Sequence, residues 1–388
     1  MLTSLKIKGF KSLRDVAIDF KPFTVLFGPN TAGKSNVVEA IQVLSRMANV
    51  PIAQVLGLPI RGYPIEMFSF PPTGLAGLLE QTSAWFNIDV TVILNFIMYR
   101  YRAEIAIIPQ SGRLLITNES FEEEKNGKTI EKFKILTNHD KSAFVATRSW
   151  QYFREDDSVG DALRGFSSYN PDPRVAMRNA FSPMDVDDIG DNGEVLAPFL
   201  YRLSQQREKE FTALKRTLSV LVPGVEDVIV DLDKRRGTLD IMVKQDGIEY
   251  SSRVLSEGTL RVLALCAIAV NPWAGSLIAL EEPENGVHPR RLELIAQLLG
   301  GLVSRGKQVV ATTHSPLFCQ SVLKLAREPE FKGKVALVQL RMGRNGTEAV
   351  PLDLDGPLFT DGDIAKALAD CADEVRFEDL MLRGLLDD

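Results

Sequence analysis

The chain has 388 residues, of which 45% are hydrophobic and 25% charged, with a formal net charge of −6. That balance fits a folded globular protein with one large α/β domain or two ordinary ones, and it argues against a general nucleic-acid coat while leaving room for a local basic patch. Cys266, Cys319 and Cys371 are widely spaced without a C-x-x-C pair, as expected of buried thiols in a reducing compartment. Lys6, Lys8 and Lys11 interrupt the first apolar positions, which disfavours a signal peptide. The most apolar stretch, Val262 to Val270, is too short to span a bilayer. A cytoplasmic protein without membrane contact is expected.

In chain order, residues 2–20 alternate in the manner of strands, and Phe23 to Phe27 reads as a short buried strand. A helix follows over 35–48, with Val37, Ile41, Leu44 and Ala48 on one face. Residues 49–84 are rich in Gly and Pro and read as loops and short turns. Strand candidates at 88–94, 97–108, 113–117 and 132–136 suggest an antiparallel meander. The polar stretch 154–193 reads as a long exposed connection. A strong helix is expected over 194–220, then a hairpin of 228–232 with 238–243. Helix 257–270, strand 276–280, helix 289–303 and strands 309–312 and 335–340 complete a pattern of strands alternating with helices, the signature of a mostly parallel sheet. An acidic tail from 351 ends in an amphipathic helix near 361–385. Asp353, Asp355, Asp361 and Asp363 in it read as a solvated acidic loop rather than a metal site.

The strand at 23–27 stops at Gly28, and Gly28-Pro29-Asn30-Thr31-Ala32-Gly33-Lys34-Ser35 follows, with Asn36 in the opening helix. This is G-x-x-x-x-G-K-S in the context it needs, strand before and helix after. The glycines let successive N–H groups converge on a phosphate, and the positive end of the helix adds to that field. Lys34 supplies a charge for the β- and γ-phosphates, and the Ser35 hydroxyl is placed to ligate Mg²⁺. Strand 276–280 delivers Glu281 and Glu282 at its C-terminal end, where open α/β sheets place ligands. One carboxylate there can hold Mg²⁺ and the next can orient a water. The following strand ends at Thr312-Thr313-His314, which puts His314 within reach of a γ-phosphate. Upstream, Leu255-Ser256-Glu257-Gly258 is a turn opening a helix, able to offer N–H groups and a hydroxyl to an anion.

The order of these motifs resembles the ABC-type ATPase heads of the RecF, SMC and OLD group, in the "predicted ATPase" branch of AAA-family proteins whose Walker B reads E-E-P-E-N-G-x-H-P. Leu5 to Ser12 is similar to the first strand of that group, residues 27–36 to its Walker A, residues 193–203 to its helix before the second lobe, 255–258 to the signature, and His314 to the switch histidine. The similarity runs from about residue 2 to 342 and is weakest over 49–190. It implies a P-loop NTPase fold: a mostly parallel central sheet, an antiparallel β subdomain and a helical lobe. The expected division is 1–48 (first strands and Walker A), 49–190 (inserted loops and antiparallel strands), 191–350 (signature, Walker B and histidine) and 351–388 (tail).

By that resemblance residues 28–36 and Lys34 bind the triphosphate of ATP, Ser35 and Glu281 support Mg²⁺, and Glu282 positions the attacking water. Ser256 and Gly258 contact the γ-phosphate held by a second subunit in a head-to-tail homodimer, and Lys11 and Ser12 touch the nucleotide. Glu281 stands where most ABC proteins have Asp, and Glu257 replaces the first signature glycine, as is common in this branch. A Q-loop glutamine has no recognisable context, Gln81 and Gln110 being the candidates. The chain shows no long coiled coil over 49–190 and no room after His314 for the nuclease domain of OLD-type proteins. The expected function is an ATPase acting as an ATP-gated dimerisation switch in DNA repair or defence against foreign DNA, with a partner effector. The alternative is an ATP-binding scaffold or regulatory subunit with little turnover, and a transporter ATPase is disfavoured by the 284–289 stretch. Nucleic-acid contacts would fall on Lys6, Lys8, Lys11 and Arg14, on Tyr99 to Arg102, or on Lys234-Arg235-Arg236, each more readily read as a solvated strand face or turn.

Overall fold

A computed structural model describes residues 1–57, 60–125, 128–135, 139–146, 158–352 and 354. The unbroken apolar run Phe23–Phe27 (β3) is buried at every position and lies inside a six-stranded sheet. The order is β15-β14-β3-β13-β12-β8, formed by Gly346–Pro351, Val335–Gly343, β3, Gln308–Thr313, Leu277–Glu281 and Phe166–Tyr169. All neighbours pair in parallel except the hairpin of β14 with β15. Burial on both faces explains why β3, β12 and β13 read as continuous apolar runs rather than alternating ones.

Alternate residues of β3 feed two cores. Phe23, Val25 and Phe27 join the side covered by helices α2 (Leu196–Gln206), α4 (Glu257–Val270) and α5 (Leu292–Ser304). Leu26 joins the opposite side, where α1 (Lys34–Met47) packs beneath a second, antiparallel sheet. That sheet runs β2-β1-β4-β5-β6-β7, from Val16–Asp19, Leu2–Lys8, Ala84–Leu94, Ile97–Ile108, Arg113–Lys125 and Lys128–Ile135. A third sheet, β11-β10-β9 (Ile248–Ser251, Thr238–Gln245, Val225–Asp233), packs on α2 and on α3 (Glu208–Leu221). The last long helix among the described residues is α6, Pro316–Ala326. The fold is thus the expected P-loop ATPase architecture of a parallel-rich sheet, antiparallel sheets and helices.

Four details differ from the sequence reading. The stretch 154–193 is not simply an exposed connection: Ser158–Arg164 is a helix, and β8 pairs in parallel with β12 as the sheet edge, with Tyr169 only 2% exposed. Four residues, Phe166-Ser-Ser-Tyr, are too few to show a period, and β12 supplies their backbone partners. The helix over 194–220 is two helices broken at Arg207 (φ −140°, ψ 61°), where the polar run Gln205 to Glu208 has no apolar position to hold it against the core. Helix 289–303 opens with a 3-10 turn at Pro289–Arg291 before α5. The strand expected at 113–117 extends through a register shift to Lys125. The tail helix near 361–385, with Asp353, Asp355, Asp361 and Asp363, lies outside the described residues.

Candidate nucleotide site

The loop from Gly28 to Gly33 joins β3 to α1, and its shape depends on both glycines. A Cβ on Gly28 would lie 2.1 Å from the carbonyl oxygen of Leu340, and Gly33 has φ +94°, with a Cβ position 2.3 Å from Thr347 Oγ1 and 2.8 Å from Ser12 Oγ. Thr31 also takes a left-handed φ of 71°. Pro29, Asn30 and Thr31 form the exposed crown, while Ala32 and Lys34 are buried. The Lys34 ammonium donates to the carbonyl oxygens of Gly28 and Pro29, at 2.7 and 3.0 Å, so it curls over the concavity formed by the loop. Lysine charge, backbone concavity and helix N-terminus together make a phosphate cradle.

Ser35 and Asn36 take different partners beside that cradle. Ser35 Oγ donates to Glu281 Oε2 at 2.6 Å, joining the phosphate loop to the end of β12. Burial holds the Glu281 carboxyl above its usual range, opposed by the Ser35 bond and the Arg61 charge. Arg61 Nη2 stands 3.7 Å from Glu281 Oε1, and Arg61 Nε is 2.8 Å from Glu39 Oε1. Asn36 Nδ2 donates to Ser12 Oγ at 2.8 Å, and Ser12 Oγ lies 2.7 Å from Thr347 Oγ1. Lys11 is directed elsewhere, to Glu39 Oε2 at 2.5 Å and the Arg61 carbonyl at 2.9 Å.

Glu282 is the first residue past β12 and has a left-handed φ of 48°, a strained conformation for a side chain with a Cβ. Its N–H donates to the Thr312 carbonyl at 3.0 Å, which anchors the turn to β13. The carboxylate is held from two sides: by His314 Nδ1, 3.0 Å from Oε1, and by Asn285 Nδ2, which donates to Oε2 at 2.6 Å. The His314 bond is the main reason its pKa lies below the usual carboxylate value, with Asn285 and the Lys34 charge adding to it. An ionised carboxylate with a fixed direction can accept a proton from a water that it orients. Ser35 Oγ and Glu281 Oε2, both hard oxygens 2.6 Å apart, fit the chemistry of Mg²⁺ completed by phosphate oxygens and water. Among the described residues no group of three His, Cys, Asp or Glu gathers as a metal cage.

Ser256 and Gly258 are not brought to this cradle. Ser256 caps α4, its Oγ accepting from the Thr259 N–H at 3.1 Å, and both residues line a separate cavity of about 710 Å³ with Gly286, His288 and Arg291. Gln81 and Gln110 are linked to each other, Gln110 Nε2 donating to the Gln81 carbonyl at 2.9 Å in an exposed position. The sequence reading missed Asn170, which follows β8 and lines a small cleft with Glu281, Glu39 and Arg61. It also missed Thr347 and Arg61. The clue to Asn170 was a carboxamide directly after an apolar-flanked tetrapeptide, a weak one.

Residues 23–320 match the family model described as "AAA domain, putative AbiEii toxin, Type IV TA system". The chain belongs to that family. It is 24% identical over 361 residues to a Helicobacter pylori protein named "ATP/GTP phosphatase", covering 88% of this chain and 92% of that one. Its fold is similar to the SMC head bound to the C-winged helix domain of ScpA (TM-score 0.56, 16% identity, 91% of this chain and 98% of that one). It is also similar to the Smc head domain with a coiled coil and joint from Pyrococcus yayanosii (TM-score 0.51, 13% identity, 95% and 99%). The chain is therefore an AAA-family P-loop ATPase whose fold is similar to that of SMC heads. No helix among the described residues is long and apolar enough to cross a membrane.

Proposed function

We propose that this ATPase is an ATP-gated dimer in which each site joins the phosphate loop of one protomer to the signature turn of its partner. The observation that carries this reading is the separation of the two halves within one chain. Ser256 sits exposed at the head of a 14-residue helix, its side chain bonded among the described residues only within its own turn, in a cavity distinct from the Lys34 cradle. A hydroxyl and free N–H groups at a helix head are suited to a phosphate that another copy presents. A two-fold axis then builds two equivalent sites from two incomplete ones.

Within each site the residues divide the work. Residues 28–36 wrap the triphosphate, and Lys34 leaves its loop carbonyls for the β- and γ-phosphate oxygens. Bound Mg²⁺, held by Ser35 and Glu281, would offset charge on those oxygens. Glu282 orients a water and takes its proton as the water oxygen bonds to the γ-phosphorus and the bond to the β-phosphate oxygen breaks, giving ADP and phosphate. His314 keeps Glu282 in line and faces the γ-phosphate. Asn170, beside Glu281, offers a carboxamide to the same water or cation. Because Ser35 turns to Glu281 and Asn36 to Ser12, the nucleoside leaves on the Ser12 side. There a cleft of about 450 Å³ is flanked by Phe70 and Met342, 36% and 51% exposed, with Arg14 and Arg344 at its rim. Flat apolar flanks suit a nucleobase.

Defence against foreign DNA is the setting favoured over repair, since the family description names a toxin of a toxin–antitoxin system. A partner effector would read the closed state. Direct DNA contact through Tyr99 to Arg102 is disfavoured: both tyrosines point into the core, and Arg100 and Arg102 pair with Asp89 and Glu122. Lys234, Arg235 and Arg236 at the exposed β9–β10 turn remain the place for such a contact. The test is light scattering of Glu282→Gln with ATP and Mg²⁺. A stable dimer that dissolves with ADP supports the switch, and a monomer at all nucleotide states refutes it.

A further inference from the structure

The turn after Glu282 holds a second glutamate that hydrolysis as described does not use. Glu284 is 6% exposed, and its Oε1 accepts the hydroxyl hydrogen of the fully buried Thr313. The same hydroxyl oxygen accepts the Ser315 N–H at 2.9 Å. One side chain is thus tied, through a single hydroxyl, to both residues that flank His314. The other carboxyl oxygen, Glu284 Oε2, is buried without a hydrogen-bond partner among the described residues. Burial raises this acid to about 7, with the Glu282 charge acting in the same direction and His314 in the opposite one. A buried carboxyl with one oxygen unsatisfied is costly, and an apolar side chain would fill the space without that cost. Packing alone does not account for it.

We propose that Glu284 is a positioning residue: through the Thr313 hydroxyl it fixes the 313–315 turn, and so the alignment of His314 Nδ1 with Glu282 Oε1. The link runs Glu284 to Thr313 to the His314 backbone, then across 3.0 Å to the Glu282 carboxylate. Glu284 also shares the tight turn of Glu282, whose carbonyl accepts the Asn285 N–H at 3.0 Å, so both ends of the Glu282–His314 pair depend on one buried anchor. This rests on ATP hydrolysis and on Glu282 and His314 acting together, not on dimer geometry.

The experiment measures kcat and KM for ATP, and binding of a fluorescent ATP analogue, on the full chain. Thr313→Val removes the hydroxyl and should lower kcat about tenfold or more, with KM and analogue binding within about twofold, as expected for a misaligned but intact site. Thr313→Ser should restore most of the rate. Glu284→Gln, which retains an acceptor, should fall between wild type and Glu284→Ala. Glu284→Ala combined with Thr313→Val should be no slower than either alone, since both break one link. In a His314→Ala background Thr313→Val should not lower kcat further. Wild-type kcat in Thr313→Val, additive losses, or a further loss from Thr313→Val in the His314→Ala background would each overturn the proposal. If Glu284→Ala does not fold, the Thr313→Val and Thr313→Ser pair still decides. Failure of the underlying reading would look different: His314→Ala and Glu282→Gln would themselves retain full turnover.

Discussion

Gly258→Ala tests how the turn at 255–258 acts on Glu282, the residue proposed above to orient the attacking water. The added Cβ would lie 2.4 Å from the carbonyl oxygen of Gly286 and 3.3 Å from its carbonyl carbon, both backbone atoms that no rotamer change can clear. An ordinary carbon–oxygen contact needs about 3.2 Å, so the α4 N-terminus and the 283–289 loop must separate by roughly 0.8 Å. Gly286 itself has φ +80° and adjoins Asn285, whose 2.6 Å bond holds Glu282 Oε2. Moved by that amount, the bond stretches past useful length, and Glu282 retains only His314. A displacement near 1 Å at a reacting centre costs about 100-fold in rate, and overpacking of this kind costs about 1–3 kcal/mol in stability. Phosphate release under saturating ATP should therefore fall by about two orders of magnitude. Binding of a fluorescent ATP analogue to the monomer should be unchanged, because no residue of 28–36 moves. Adding Asn285→Ala should produce little further loss, since the link is already broken. A kcat within twofold of wild type, or a loss of nucleotide affinity equal to the loss of rate, would refute this line of reasoning.

Ser35→Ala removes the hydroxyl that Glu281 accepts, and should raise the Mg²⁺ concentration for half-maximal turnover at least tenfold while analogue binding without Mg²⁺ changes little; titration of activity against Mg²⁺ checks it. Glu119 in β6 is fully buried, bonded to the Tyr101 hydroxyl and the Ala143 N–H, and burial raises its carboxyl to about 7. Its folded pKa lies above the unfolded value of 4.5, so its contribution is complete below about 4.5 and fades as pH rises through about 7. Urea denaturation at pH 5 and pH 8 should show wild type losing up to about 3 kcal/mol more than Glu119→Gln across that window, and equal losses would contradict the assignment. Phe70→Ala should raise the KM for ATP several-fold and leave kcat intact if the cleft beside Ser12 holds the base; an unchanged KM places the base elsewhere.

The parts of the site that the sequence exposed were those where chemistry demands a residue type at a fixed spacing. Gly28 and Gly33 are needed because a Cβ would strike Leu340 or Thr347, and Lys34 and Ser35 follow by geometry. Glu281 and Glu282 were legible because an apolar strand ends in two carboxylates. What escaped notice was set by tertiary contact. β8 is four residues long and becomes a strand only because β12 offers it an edge, so Asn170 had no context. Thr347 lies more than 300 residues from Ser12 and meets it across the β14–β15 hairpin. The burial of Tyr99 and Tyr101 follows from the period-2 alternation of β5, which sends Arg100 and Arg102 outward to acidic neighbours that the local motif could not reveal.

The most direct test of a shared active site is complementation between two inactive chains. Lys34→Ala disables the phosphate cradle, and Ser256→Arg blocks the signature turn; each alone should be inactive as a homodimer. Mixed one to one, half of the dimers carry one intact site of two, so turnover should recover to about a quarter of wild type and disappear on dilution. Activity that stays at the level of the separate variants at every concentration would contradict the head-to-tail site.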